Sequence, residues 1–320
     1  AVRDPETPRH FSHIGDRDRA VEAIHARRGG RPPAAHLSEM GLATGSPASD
    51  MTGHGTAPIP SPRRGMRDWG MDAFTKAASL LAHSERILAL TGAGLSTASG
   101  IPDFRGPQGR WTQDPDAEKI STLSYYLTDE DVRRKAWRAR AHSAHWEAAP
   151  NAGHLALVDL ERAGKLAGIV TQNTDGLHLV AGSSPDIVHE VHGNARTWRC
   201  EDCGATGPME QMRERVLAGD DDPRCHECDG ITRATVILFE EMLEPGVLDA
   251  SVRLAEDADL VLAVGTTLTV HPVAGLVPYA FGHSARVVIV NNQETPYDYL
   301  ANAVLRDPIE EVLPRLVADA

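Results

Sequence analysis

Short, wholly apolar runs recur along the later part of the chain, and each closes on glycine or polar residues. Ile87-Leu88-Ala89-Leu90 ends in Thr91-Gly92-Ala93-Gly94, and Gly168-Ile169-Val170-Thr171 ends in Gln172-Asn173. Leu260-Val261-Leu262-Ala263-Val264 leads to Gly265-Thr266-Thr267, and Val287-Val288-Ile289-Val290 leads to Asn291-Asn292-Gln293. Runs that are apolar at every position, without alternation, mark strands covered on both faces. Helical spacing of the apolar positions predicts helices over 73–83, 154–163, 246–257 and 309–317. Strands alternating with helices predict an α/β fold built on a doubly wound parallel sheet. The ligand crevice of such a sheet lies at the carboxyl ends of its strands.

Residues 196–235 break this rhythm. They hold all four cysteines and few apolar runs, and read as a small insertion held by something other than a large core. The sheet domain is therefore expected over 71–195 and 236–320. Residues 1–66 are rich in Pro, Gly, Ser, His and Arg, and only 18–27 could form a short helix. Such a composition cannot bury enough apolar area to offset the entropy of ordering. This stretch is expected to be a disordered tail, or sequence upstream of the natural start.

The 320 residues are 41% hydrophobic and 24% charged, which suits a soluble protein. Residues 1–66 carry a net charge of +2, so −15 falls on the remainder. An acidic body disfavours direct nucleic-acid binding and suits a basic partner, such as a lysine-bearing protein. The chain offers no apolar run long enough to span a membrane and no opening secretory pattern, so a cytoplasmic location is expected.

Cys200-x-x-Cys203 is followed, 21 residues later, by Cys225-x-x-Cys228. Two such pairs can place four thiolates tetrahedrally around zinc, with Gly204 and Gly230 as the tight-turn residues. Two redox pairs, or four unrelated cysteines, would be the alternative. Four sulfurs leave no open coordination position, so the metal would be structural. His226, inside the second pair, reads as a bystander.

Gly92-Ala93-Gly94-Leu95-Ser96 follows a strand, where glycines could admit a phosphate to the backbone or simply make a tight turn. It falls short of the full dinucleotide fingerprint, because Thr97 stands where the third glycine would be. The loop Ser99-Gly100-Ile101-Pro102-Asp103-Phe104-Arg105-Gly106 is costly to order unless it closes over a ligand. Thr171-Gln172-Asn173-Thr174-Asp175-Gly176-Leu177-His178 puts four polar side chains at a strand end. Helix capping by Asn173 or Asp175 would explain one of them. His189-Glu190-Val191-His192-Gly193-Asn194 adds His192 at the junction with the cysteine module, where an imidazole could serve as a general base or be a satisfied structural histidine.

Taken together, GAGLSTASGIPDFRG, TQNTDGLH, EVHG, the paired CxxC and GTTLTV resemble the sirtuin family of NAD-dependent protein lysine deacylases. The resemblance runs from about Ala73 to Leu316. It implies a Rossmann-like domain with a small zinc-binding domain inserted, and a cleft between them for NAD and an acyl-lysine. Gly92, Ala93, Gly94 and Ser96 would hold the cofactor phosphates, and Asp103, Phe104 and Arg105 would belong to the mobile cofactor loop. Gln172, Asn173 and Asp175 would contact the nicotinamide ribose and the nicotinamide pocket, with Asn173 counted as catalytic. His192 would be the base that takes a proton from a ribose hydroxyl as the acyl group moves to ADP-ribose. Gly265, Thr266, Thr267, Asn291, Asn292 and Gln293 would line the phosphate and adenosine side. Cys200, Cys203, Cys225 and Cys228 would hold one structural Zn2+ per chain.

The sequence departs from the family pattern in a few places. Glu240 stands in Phe239-Glu240-Glu241 where the family has glycine, in a segment that pairs with the substrate backbone. Its added charge is expected to favour basic peptides. Val191 replaces the usual leucine. Trp137 and Arg140 have the spacing of the Tyr/Arg pair of desuccinylase-type members, but fit a basic helix face with Arg133, Arg134 and Arg138 better. Two other functions compete: mono-ADP-ribosyl transfer at the same site, and a non-catalytic NAD- or zinc-binding protein. The intact His192, Asn173 and Asp175 argue against the latter.

Overall fold

A computed structural model describes residues 72–103, 109, 117–318 and 320. The tail expected over 1–66 lies outside them, as do Phe104 and Arg105. The described helices are α1 (Ala73–His83), α2 (Ala117–Ile120), α3 (Leu123–Thr128), α4 (Glu130–Ala141), α5 (Ala152–Arg162), α6 (Leu177–Ala181), α7 (Met209–Leu217), α8 (Pro245–Asp257), α9 (Leu276–Gly282) and α10 (Ile309–Ala318). The strands are β1 (Ile87–Thr91), β2 (Leu166–Thr171), β3 (Val188–Glu190), β4 (Thr197–Cys200), β5 (Thr206–Pro208), β6 (Thr232–Ala234), β7 (Leu260–Val264), β8 (Arg286–Val290) and β9 (Ala303–Leu305).

Six strands form one parallel sheet in the order β3-β2-β1-β7-β8-β9. The apolar runs become its central strands because both faces are covered. Ile87, Ala89, Ile169, Leu262, Val264, Val288 and Val290 pack under α1, α5 and α10. The intervening Leu88, Leu90, Val170, Val261, Ala263, Val287 and Ile289 pack under α8 and α9. Each Val, Leu or Ile among them, removed from water, contributes roughly 1.5–3 kcal/mol. Helix α5 begins two residues before the periodicity suggests, because Asn151 Oδ1 accepts the Gly153 N–H at 2.9 Å and His154 Nδ1 accepts the Asn151 N–H.

The chain runs outward from β1 to β3, then returns to the other side of β1 as β7. The connections diverge at the carboxyl ends of β1 and β7, and a crevice opens at such a reversal. The ladder continues past the strand ends there. Gly92 N–H donates to the Val264 carbonyl at 3.0 Å, and Gln172 N–H to the Thr91 carbonyl at 3.0 Å.

The cysteine segment holds a separate three-stranded antiparallel sheet, β5-β4-β6, and α7. Its small core of Trp198, Met209, Met212, Val216 and Ala234 is completed by Trp137 and Ala141 of α4. An ion pair between Arg133 and Asp222 at 3.1 Å, nearly buried on both sides, fastens the same helix to the loop after α7. Trp137 is thus a core residue of this lobe. No helix among the described residues is long and apolar enough to cross a membrane.

Candidate active site

The turn after β1 and the turn after β7 lie back to back. A Cβ on Gly92 would stand 2.7 Å from the Gly265 carbonyl oxygen, and one on Gly94 2.8 Å from the Gly265 Cα. Gly265 itself has φ 61° and would push a Cβ to 2.3 Å from Leu95 N. These glycines are required by the mutual approach of two backbones. The N–H groups of Gly92 and Gly94 are taken by the carbonyls of Val264 and Gly265. Ala93 and Gly94 remain partly open to solvent.

Ser96, in the 3-10 turn Ala93–Ser99, is buried and joins two motifs that lie far apart in the chain. Its Oγ donates to Asp175 Oδ2 at 2.8 Å and accepts from Asn173 Nδ2 at 3.2 Å. Asn173 Nδ2 also donates to the Gly92 carbonyl at 3.1 Å. Asp175 Oδ1 accepts the Leu177 N–H at 2.9 Å and so caps the start of α6. Arg196 Nε holds the Asp175 carbonyl at 2.7 Å, over Gly176, whose φ of 71° suits glycine. Gln172 Nε2 donates to Thr266 Oγ1 at 2.9 Å and thereby bridges the ends of β2 and β7.

His192 stands beside this group. Its Nδ1 lies 3.1 Å from the Gln172 carbonyl. A carbonyl can only accept, so the proton sits on Nδ1 and Nε2 carries the lone pair. The Nδ1 contact is the one side-chain hydrogen bond of His192 among the described residues. Burial holds the imidazole below the usual histidine range, while the Gln172 contact works the other way. Gly193 follows with φ 73°, and a Cβ there would come within 2.1 Å of the Thr235 carbonyl. The Glu190 carboxyl is pushed up by burial, although it accepts from Asn194 Nδ2 at 2.7 and 2.8 Å.

The predicted residues therefore divide into groups. Gly92, Ala93, Gly94, Ser96, Gln172, Asn173, Asp175, His192, Gly265 and Thr266 converge. Thr267 bonds Thr269 by its hydroxyl. Asn291 turns its amide onto the Gln293 carbonyl at 2.9 Å, while Asn292 and Gln293 are exposed at the next strand end. Asp103 borders the segment that holds Phe104 and Arg105, both outside the described residues. Sequence reasoning missed Arg196, Thr91 and His178. Thr91 Oγ1 and His178 Nε2 are 3.0 Å apart beneath the site, and only the parallel pairing of β1 with β2 brings them together.

The four cysteine sulfurs lie within 4.8 Å of one another. Cys200 and Cys228 sulfurs are 3.5 Å apart, and those of Cys203 and Cys225 are 3.6 Å apart. A disulfide needs about 2.05 Å. A tetrahedron with legs of about 2.3 Å has edges of about 3.8 Å, so the set fits zinc. Gly204 has φ 78°, and a Cβ on Gly230 would lie 2.9 Å from Cys200 Sγ, so both turns need glycine. His226 is exposed and outside the cluster.

A family model for the Sir2 family matches residues 92–272. The chain belongs to the Sir2 family. This sirtuin is 48% identical to NAD-dependent protein deacetylase 2 of Streptomyces coelicolor, over 71% of its own length and 95% of that relative. It is 40% identical to an NAD-dependent protein deacetylase of Sulfolobus acidocaldarius, over 76% of the chain and 93% of the relative. A solved Sir2 structure with a deacetylated p53 peptide and 3'-O-acetyl ADP-ribose matches at 30% identity and a TM-score of 0.72, covering 78% of the sirtuin and 99% of that chain. Another, of Sir2Tm bound to a propionylated peptide, matches at 29% and 0.69, covering 77% and 98%.

Proposed function

We propose that this chain is an NAD-dependent protein lysine deacetylase in which His192 is the general base. The observation that carries the reading is the state of that imidazole: its proton is fixed on Nδ1 by the Gln172 carbonyl, which leaves the Nε2 lone pair free to accept a proton. NAD supplies the ribose carbon that accepts the acyl oxygen as nicotinamide leaves, and the ADP-ribose that carries the acyl group away. His192 Nε2 takes the proton of a ribose hydroxyl, and its lowered pKa keeps it neutral and ready near neutral pH. Ser96, Asn173 and Asp175, locked to one another, present fixed polar groups to the nicotinamide side, with Asn173 in a catalytic role. Gln172 and Thr266 span the floor, and Ala93, Gly94, Gly265, Thr267 and the Asn291–Gln293 end of β8 border the phosphate and adenosine side. Fixed dipoles of this kind need no reorganisation during the reaction.

The cysteine quartet would hold structural zinc and brace the lobe beside His192. That lobe is assigned to 196–235, with α3 and α4 packed against it. Acylated lysine-bearing proteins are the partners that the acidic body suits. A cytoplasmic location fits the four cysteines, which are free thiols and would stay reduced there.

The test mixes the protein, NAD and an acetyl-lysine peptide. Nicotinamide and O-acetyl-ADP-ribose in equal amounts support the reading. Labelling of protein by ADP-ribose without peptide turnover, or no consumption of NAD, overturns it.

A further inference from the structure

We propose that Glu240 is a positioning residue for the acyl-lysine substrate: by clasping Ser124 it fixes residues 237–241 as a wall beside His192. The proposal deepens the deacetylase reading and rests on it. Glu240 has φ 76°, a conformation that side chains other than glycine rarely adopt. A residue kept there needs its surroundings to hold it. Here its carboxylate does so. Oε2 accepts the Ser124 N–H at 2.9 Å, and Oε1 accepts the Ser124 hydroxyl at 3.0 Å. Both oxygens accept from the first turn of α3, whose donors are neutral, so the exposed carboxylate is held in place and keeps its charge.

The clasp closes a larger seam. Phe239 N–H donates to the Ser121 carbonyl at 2.8 Å, and its carbonyl accepts the Leu123 N–H at 3.2 Å. Leu238 is buried with Leu123 and Tyr126. On the other side, Ile237 N–H donates to the His192 carbonyl at 2.9 Å. Residues 237–241 therefore tie α3 to the backbone of His192. Phe239 and Met242 stand 44% and 62% exposed along this stretch. A peptide that offers its acyl-lysine to His192 runs past them. If the clasp is cut, the wall gains freedom that the peptide must remove on binding, a cost of the kind seen in KM. The transfer step at His192 Nε2 is untouched.

Four variants and two readouts test this. Glu240→Gly removes the carboxylate and relieves the backbone, and Ser124→Ala removes the hydroxyl. Each is expected to raise the KM for an acetyl-lysine peptide, by roughly fivefold in Glu240→Gly and less in Ser124→Ala, with kcat and the KM for NAD unchanged. The double variant should be no worse than Glu240→Gly alone. Glu240→Gln, which keeps an acceptor for the Ser124 N–H, should restore most of the peptide affinity. Hydrogen exchange on the protein without NAD or peptide should show faster exchange at the Ser124 amide in Glu240→Gly. An unchanged peptide KM, a loss confined to kcat, or fully additive losses overturn the proposal. Unchanged exchange at Ser124 overturns the clasp itself. A wild type that turns over no peptide overturns the deacetylase reading instead, and the exchange result still judges the clasp.

Discussion

Ser96→Ala tests whether the two motifs that meet at the crevice act as one unit. Ser96, Asn173 and Asp175 are 1%, 6% and 7% exposed, so water cannot replace a lost contact without rearrangement. The substitution removes the 2.8 Å donor to Asp175 Oδ2 and the 3.2 Å acceptor for Asn173 Nδ2. Each group keeps one partner, the Leu177 N–H for Asp175 and the Gly92 carbonyl for Asn173. A hydrogen bond to a charged group contributes about 1.5–3 kcal/mol and a neutral one about 1. Since the neutral bond is long, the combined loss is about 2–3 kcal/mol. For a body of this size that lowers Tm by roughly 4–12 °C. The assays are urea unfolding and peptide-dependent nicotinamide release. Crossing Ser96→Ala with Asp175→Ala should reveal a coupling of about 1–2 kcal/mol. A loss below about 0.5 kcal/mol, or strict additivity in the double variant, would refute the idea that this contact locks the site.

Further outcomes follow from the same geometry. The acid limb of kcat/KM should titrate below the ordinary histidine value of about 6.5, because burial lowers His192 and the base must be neutral to act; a pH–rate profile with its acid limb above that value contradicts this. His154 and His178, stacked edge to face at 5.2 Å, are held down by burial to about 4 and about 3. Both states are neutral above pH 6.5, whereas below it only the unfolded chain gains the protons. Stability should therefore fall by about 2–3 kcal/mol per pH unit between 6.5 and about 4, seen as a steep drop in Tm that His178→Gln makes shallower. Cys225→Ser should bind less than one equivalent of zinc by metal analysis and lower the melting temperature, since the module's apolar core is small; full zinc retention would show that the quartet is not the metal site.

Much of the central sheet was legible because parallel strands covered on both faces must be apolar throughout, as Leu260–Val264 and Arg286–Val290 nearly are. The site could be located for the same reason: parallel strands send all their carboxyl ends to one edge, so polar residues after four separate runs had to gather. The three-residue strands β3 and β9 are too short to leave a pattern. What local sequence could not carry is pairing at a distance. Ser96 meets Asp175 across 79 residues, and Trp137 enters the core of Trp198 from a helix that precedes the cysteine module. The glycines after β1 suggested a phosphate cradle, yet a large part of their necessity comes from Gly265, more than 170 residues further on. Glu240 could be seen to depart from the family pattern, but its left-handed backbone and the Ser124 partner that supports it appear only in the folded chain.

The most direct measurement compares wild type with His192→Ala in the formation of O-acetyl-ADP-ribose from NAD and an acetyl-lysine peptide, with zinc content and thermal stability measured on the same samples. The expected result is a loss of product formation by about a hundredfold or more, with one zinc and the fold retained, because the substitution removes the base and, besides it, only the Nδ1 contact with the Gln172 carbonyl. Near-normal product formation by His192→Ala would contradict the assignment of this imidazole as the base.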